Sequence, residues 1–355
     1  MSLYAVILAG GVGARFWPRS RQHCPKQYLG VFSEQSLIQE TVDRIASLVP
    51  QERVLIVTRE DQVSVLQEQL PDLEPWQILK EPMGRSTAPC LALAAHTLIQ
   101  RDPEATMLVL PSDHLIQDTP LFLETVEQAV RYCQEKEALI TFGIQPNRPE
   151  TGYGYILYAD DAETKGVHRV KQFVEKPDLE TARRYVQSER YLWNSGMFVW
   201  QARTLQSEIR TYLPDLMEAF SQLPADPTDP DFDTLLRTLY VPLSPLSIDH
   251  GIMEKSKRVY VIKSYFGWSD VGSWESVYHM SPQNPFGNVL RGDVHAIDTH
   301  NSYIYSPHRF TATIGVEDLI VVDTPDALLI SRMERSQDVR DIVKHLENLK
   351  KDQLL

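Results

Sequence analysis

Gly10, Gly11 and Gly13 follow the apolar run Tyr4–Leu8, with Arg15 just beyond them and Lys26 a short distance further on. Glycines let a backbone approach an anion and turn several N–H donors toward it, and Arg15 and Lys26 bring cations to the same place. The chemistry this suits is phosphate binding. Two familiar phosphate loops are excluded by spacing. A G-x-x-x-x-G-K-S/T loop needs Lys directly after Gly, and the dinucleotide fingerprint needs a third Gly where this chain has Phe16.

The run Leu8-Ala9-Gly10-Gly11-x-Gly13-x-Arg15-Phe16-Trp17-Pro18-x-Ser20-Arg21, closed by Pro25-Lys26-Gln27, resembles the signature of the sugar-1-phosphate nucleotidyltransferases. Its Phe16-Trp17-Pro18 and Pro25-Lys26-Gln27 form is similar to that of the mannose-1-phosphate guanylyltransferase branch. The resemblance implies GTP and mannose 1-phosphate as substrates, GDP-mannose and pyrophosphate as products, and Mg²⁺ as cofactor. In that reaction an oxygen of the sugar phosphate attacks the α-phosphorus and pyrophosphate leaves. Both partners are anions, so cations, alignment and charge neutralisation carry the catalysis.

The resemblance assigns residues to these tasks. Leu8, Ala9, Gly10, Gly11 and Gly13 form the nucleotide loop, and Arg15 and Lys26 neutralise the moving phosphate charge. Asp113, just after the run Met107–Leu110, and Asp270, within Gly267-Trp268-Ser269-Asp270-Val271-Gly272, are the metal carboxylates; hard oxygens suit Mg²⁺, which fills its remaining positions with waters and phosphates. On the sugar side, Phe173-Val174-Glu175-Lys176-Pro177 offers Glu175 to hydroxyls and Lys176 to the sugar phosphate and the catalytic step. Gly154 lies in a turn against the sugar. Asn194 of Asn194-Ser195-Gly196-Met197-Phe198 brings both a donor and an acceptor, and Asp249 accepts from a hydroxyl.

Base selection falls to Glu81-Pro82-Met83-Gly84-Arg85-Ser86-Thr87, of which Glu81, Arg85, Ser86 and Thr87 are assigned to the nucleotide. Guanine presents adjacent N1–H and N2–H donors, which one carboxylate accepts as a matched pair; adenine, uracil and thymine offer no such pair. Glu81 is therefore the expected reader. Family members commonly carry Asn where this chain has Ser86, a shorter donor. His114 and His250 have no metal-ligand spacing and read as solvated or core-satisfied.

These residues need a frame. Tyr4–Ala9, Val54–Thr58, Met107–Leu110 and Leu139–Phe142 read as buried strands, and Leu37–Val49, Pro89–Gln100 and Leu121–Glu135 have apolar residues at helical spacing. The alternation predicts an α/β fold, Rossmann-like, with a mixed, mostly parallel sheet flanked by helices, and ligands beyond the carboxyl ends of its strands. Helices are also expected over Leu179–Ser188 and Leu205–Leu223, with Pro224–Pro230 as a loop. After Pro285 the runs Tyr303–Tyr305, Thr311–Ile314, Leu319–Val322 and Ala327–Ser331 predict a small all-β unit, which the resemblance makes a β-helix or β-roll used in dimer packing. Asp338–Leu349 reads as a terminal amphipathic helix with Val339, Ile342, Val343, Leu346 and Leu349 on one face. The expected division is a catalytic domain over 1–284 and a β-rich domain over 285–355.

The chain has 355 residues, 43% apolar and 23% charged, ample for a real core. Its net charge of −13 argues against nucleic acid as a partner. Cys24, Cys90 and Cys133 are odd in number and lack ligand spacing, so neither a disulfide framework nor a zinc site is expected, and a reducing cytoplasm fits. No apolar run reaches the length of a membrane span, and neither export nor anchoring is expected. A homodimer is implied by the resemblance. The seventy residues after Pro285 are too few for both the β unit and the cupin-like isomerase domain of longer relatives, so isomerase activity is not expected.

Two alternatives stay open at this point. One keeps the fold and changes the substrate: another hexose or heptose 1-phosphate, or another base. The other is a non-catalytic nucleotide-sugar sensor, which could dispense with the metal carboxylates and loop cations.

Overall fold

The computed structural model describes residues 2–164 and 166–355. The strands are β1 (Leu3–Leu8), β2 (Val54–Arg59), β3 (Ile78–Glu81), β4 (Thr106–Pro111), β5 (Leu115–Ile116), β6 (Leu139–Ile144), β7 (Tyr155–Thr164), β8 (Val167–Val174), β9 (Tyr191–Gln201), β10 (Val259–Ser264), β11 (Trp268–Ser269), β12 (Val289–Ile297), β13 (Tyr303–Ile314), β14 (Leu319–Asp323) and β15 (Leu328–Arg332). The helices are α1 (Leu37–Ile45), α2 (Val63–Gln69), α3 (Thr87–Arg101), α4 (Thr119–Glu135), α5 (Leu179–Ser188), α6 (Ala202–Tyr212), α7 (Pro214–Phe220), α8 (Phe232–Tyr240), α9 (Trp274–Met280) and α10 (Val339–Asn348). Local chemistry starts several of them. Ser36 and Gln39 form a reciprocal capping box on α1, and Asp118 and Asp178 accept from Leu121 N–H and Thr181 N–H at the heads of α4 and α5.

Nine strands form one sheet in the order β3-β2-β1-β4-β9-β6-β10-β8-β7, with β7 also paired to β9. The sheet is mixed. Strands β3, β2, β1 and β4 are mutually parallel, as are β6 and β10, whereas β9 runs antiparallel to β4, β6 and β7, and β8 antiparallel to β10 and β7. Strand alternation divides the interior in two. Tyr4 and Val6 of β1 join a core with α3, α6, α7 and α8, while Ala5 and Ile7 join another with α1, α2 and α4. The predicted helix over Leu205–Leu223 is two helices, α6 and α7, because Pro214 cannot continue the first and starts the second.

Parallel strands β12, β13 and β14, with β15 antiparallel to β14, form a separate sheet. Its packing differs from that of a simple appendage. Tyr303, Ile320, Val322, Val339 and Leu346 share a third core with Phe16 and Trp17 of the glycine-loop segment and Val271 and Trp274 beside Asp270. Trp274 Nε1 donates to Trp17 O at 3.1 Å, Trp17 Nε1 donates to Leu354 O at 2.9 Å, and Arg21 pairs with Asp326 at 2.9 Å. The C-terminal unit therefore buttresses the phosphate loop from behind. In α10, Val339 and Leu346 are buried in this contact, but Ile342 and Leu349 of the expected apolar face are exposed.

Candidate active site

The glycine loop is held by its carbonyls. Gln27 Nε2 donates to Ala9 O at 2.8 Å and to Gly11 O at 3.0 Å, Thr58 Oγ1 to Ala9 O at 3.1 Å, and Ser20 Oγ to Gly13 O at 2.8 Å. In a trans peptide the next N–H points opposite the carbonyl, so the Gly10 and Val12 amides face away from Gln27, where an anion can meet them. Leu8 and Ala9 anchor the loop instead: Ser112 N–H donates to Leu8 O at 3.1 Å and Ala9 N–H to Val57 O at 2.8 Å. Gly13 has φ +70°, and a Cβ there would sit 2.3 Å from Lys26 Cβ. Only glycine suits both the conformation and the contact.

Lys26 is buried, and its Nζ lies 3.0 Å from Asp113 Oδ2 while donating to Asp270 O at 2.8 Å. One ammonium thus ties together the two loops that carry the predicted metal carboxylates. Enclosure alone would raise the Asp113 pKa, but the Lys26 charge and the Lys26 hydrogen bond hold the carboxyl below its ordinary value. Tyr153 O–H donates to Asp270 Oδ1 at 2.6 Å, and Arg15 Nη1 donates to Gly272 O at 3.2 Å. Arg15, Arg148, Tyr153 and Asp270 line a cavity of about 220 Å³. His114 accepts from Trp268 Nε1 at 3.1 Å and is pushed down to about 4 by burial, against Asp113 and Asp270, so it is neutral near pH 7.

Asp113 and Asp270 offer hard oxygens on two loops that Lys26 already draws together, which fits a divalent cation that takes most of its ligands from phosphates and water. No cluster of three or more His, Cys, Asp or Glu groups able to hold a metal is found among the described residues.

On the far side of β4, the predicted sugar residues converge. A Cβ on Gly154 would lie 2.6 Å from Glu175 Oε2 and 3.4 Å from Asn194 Cβ, so its absence is what lets the three meet. Asn194 N–H donates to Gly154 O at 2.8 Å, and Asn194 Nδ2 donates to Asp249 Oδ1 at 3.0 Å. Thr141 Oγ1 donates to Asn194 Oδ1 at 2.7 Å, which fixes the amide's orientation. Burial, and then the neighbouring Glu175 charge, raise Asp249 to about 7. Lys176 pairs with Glu175 at 2.9 Å from a left-handed backbone, φ 48°.

At the other end, Glu81 is buried and accepts from Tyr240 O–H. Burial lifts it to about 7, against the Tyr240 hydrogen bond and the Arg59 charge. A Cβ on Gly10 would lie 3.2 Å from Glu81 Oε2, so the carboxylate faces the glycine loop. The rest of that segment turns elsewhere. Arg85 Nη2 donates to Val241 O, Thr87 Oγ1 accepts from Ile248 N–H at 2.9 Å, and Ser86 adopts φ 65° at the head of α3. Arg85 and Thr87 therefore hold the 241–248 segment, next to Asp249, rather than the glycine loop. The sequence reading missed Tyr240 and Thr141, which lie in segments without a motif.

Along the sheet, Glu81 ends β3, the glycine loop follows β1, Asp113 follows β4, Asn194 lies in β9, and Gly154 precedes β7. Residues 4–285 match the family described as nucleotidyl transferase, and residues 292–346 match a mannose-phosphate isomerase/GMP-like β-helix domain. A mannose-1-phosphate guanylyltransferase of Klebsiella pneumoniae is 41% identical over 352 residues, spanning 97% of this chain and 74% of that protein. The alginate biosynthesis protein AlgA of Pseudomonas aeruginosa is 39% identical over 346 residues, 96% of this chain and 72% of that protein. A crystal structure described as mannose-1-phosphate geranyltransferase from Thermus thermophilus superposes with a TM-score of 0.88 at 34% identity, covering 98% of this chain and all (100%) of that one.

Proposed function

Since the chain belongs to the nucleotidyl transferase family, we propose that it transfers the guanylyl group of GTP to mannose 1-phosphate, giving GDP-mannose and pyrophosphate. The observation that carries this reading is the order of groups across the sheet: a carboxylate for the base, a glycine loop and cations for the phosphates, and a Glu–Asn–Asp cluster for sugar hydroxyls. The new bond joins a sugar-phosphate oxygen to the α-phosphorus, and the bond from that phosphorus to the β-phosphate bridge oxygen breaks. The Gly10 and Val12 amides receive phosphate oxygens, Arg15 and Lys26 balance charge passing to pyrophosphate, and Lys176 meets the sugar phosphate. Asp113 and Asp270 would hold Mg²⁺, which supplies Lewis-acid neutralisation of the phosphate oxygens when bound. Glu175, Asn194 and Asp249 orient the sugar.

A homodimer is proposed with it, supported by exposed Ile297, Phe310, Ile314, Leu328 and Ile330 on the C-terminal strands. Among the described residues no helix is long and apolar enough to cross a membrane, and a cytoplasmic site is proposed.

The test is pyrophosphate release with Mg²⁺, crossing GTP, ATP, UTP and dTTP against mannose, glucose, galactose and fucose 1-phosphates. A dominant GTP and mannose 1-phosphate signal is expected. A dominant signal elsewhere replaces the substrate, and silence throughout sinks the activity.

Glu81 adds a pH signature. To accept from guanine N1–H and N2–H it must be ionised, yet in the free protein it titrates near 7. GTP binding then releases a proton, and GTP affinity is expected to rise as pH climbs through about 7. The same shift has the opposite sign for folding. A folded pKa raised from 4.5 to about 7 stabilises the free protein below 4.5, and that contribution is lost as pH rises through 7. In Glu81→Gln the rise of GTP affinity with pH should flatten, as measured by calorimetry at several pH values. An unchanged slope would remove Glu81 from base reading.

A further inference from the structure

We propose that Arg59 is a second residue that reads the nucleobase, donating to guanine O6 while Glu81 accepts from N1–H and N2–H. The inference rests on GTP as the nucleotide and on Glu81 as its first reader. Arg59 ends β2 and is the register partner of Glu81 at the end of β3. Both side chains flank the space that a side chain at position 10 would fill: a Cβ there would be 3.2 Å from Glu81 Oε2 and 3.9 Å from Arg59 Cγ. An acceptor and a set of donors therefore bracket one glycine-floored position.

That pairing complements guanine in particular. Its Watson–Crick edge runs acceptor, donor, donor, from O6 through N1–H to N2–H, and a guanidinium beside O6 is a strong match. Adenine puts an amino donor where O6 would be, so Arg59 would face donor against donor there and lose a partner. In the free protein Arg59 pairs with Asp61, with side chains 33% and 57% exposed. An ion pair this open to water contributes little, so exchanging it for a base contact loses little stability. Arg59 also borders a cavity of about 370 Å³ shared with Val12 and Gln62, which leaves the guanidinium room to move.

The experiment compares kcat/KM for GTP, ITP and ATP in the wild type, Arg59→Leu and Glu81→Gln. ITP keeps O6 and N1–H but lacks the 2-amino group, so it separates the two readers. Arg59→Leu is expected to narrow the GTP-over-ATP preference by about tenfold or more and leave the GTP-over-ITP preference unchanged. Glu81→Gln is expected to narrow GTP over ITP. If Arg59→Leu lowers all three nucleotides by one factor, or keeps the wild-type GTP-over-ATP ratio, the proposal is overturned. A wild type without GTP preference would instead overturn the guanine reading on which it rests. Should Arg59→Leu fail to fold, Arg59→Lys, which keeps the charge and one donor, gives the same comparison with a smaller expected narrowing.

Discussion

Asp270→Asn is expected to lower kcat by on the order of 10³-fold, with the fold intact. The substitution is nearly isosteric, and Asn Oδ1 can still accept the Tyr153 O–H bond, which spans 2.6 Å in the native protein. The main-chain carbonyl that receives Lys26 Nζ is also retained. What disappears is one negative charge at the place where the α-phosphate and a divalent cation would meet. The loss should therefore appear as reduced turnover at saturating substrates and a higher Mg²⁺ requirement, with little change in melting temperature. Asp113→Asn is expected to impair turnover similarly but is a less clean probe. Its carboxylate is the ionic partner of Lys26, whose side chain is only 5% exposed, and removing it leaves a buried ammonium held mainly by a carbonyl. A drop in stability should accompany that variant and not Asp270→Asn. If pyrophosphate release by Asp270→Asn kept wild-type kcat and Mg²⁺ dependence, the metal assignment would fail.

The contrast between these aspartates follows from how the free site balances charge. Lys26 occupies the centre, neutralising Asp113 and drawing in the Asp270 loop, so a cluster that would otherwise repel itself is assembled before any ligand arrives. In the proposed reaction, a bound triphosphate would free Lys26 from Asp113 to meet the phosphates. Preorganisation of this kind would let the proposed site bind two anions without first gathering its own charges. The proposed sugar end would use a different device. Asp249 and Glu175 are neighbouring carboxyl groups in a buried setting, and burial, followed by the Glu175 charge, raises Asp249 to about 7.

Much of this arrangement was legible in the sequence because it is local. The glycine loop, the strand ends and the starts of α1, α4 and α5 depend on residues a few positions apart. The pairings that make the site are not local. Asn194 and Asp249 are 55 positions apart, Glu81 and Tyr240 are 159, and Lys26 and Asp270 are 244. No periodicity encodes such distances, and Tyr240, in an amphipathic helix, looks like any other core aromatic. Strand direction was hidden for a related reason. The reversal of β8 and β9 within the sheet depends on connections that composition does not report. The break at Pro214, in contrast, was readable, since proline in a helical pattern ends the helix before it. The packing of the C-terminal unit behind Phe16 and Trp17 could have been suspected only from those two large apolar side chains in a phosphate loop, where chemistry alone does not require them.

Gly13→Ala is expected to cost about 10²-fold or more in kcat/KM, through a shift of Lys26 rather than loss of any functional group. Two physical terms combine at this position. Left-handed backbone at φ +70° costs an alanine about 1–2 kcal/mol relative to glycine. The new methyl would also stand 2.3 Å from Lys26 Cβ and 3.3 Å from Lys26 N, so either the loop or the lysine segment must move. Lys26 N–H donates to Val12 O at 3.3 Å, which means the two segments cannot separate without opening the loop itself. A displacement near about 1 Å suffices for a loss of this size when alignment carries the reaction. Gly11→Ala supplies the control. A Cβ at Gly11 meets nothing within 4 Å, so this variant should fold with an unchanged melting temperature. Its methyl group would stand on the open face of the loop, and the expected effect is a higher KM for GTP with kcat largely kept. Steady-state kinetics and thermal melts on both variants separate the two glycines: one is needed by the protein's own packing, the other by the ligand's approach. Equal behaviour of the pair, whether both benign or both unfolded, would show that the loop's glycines are not divided in this way.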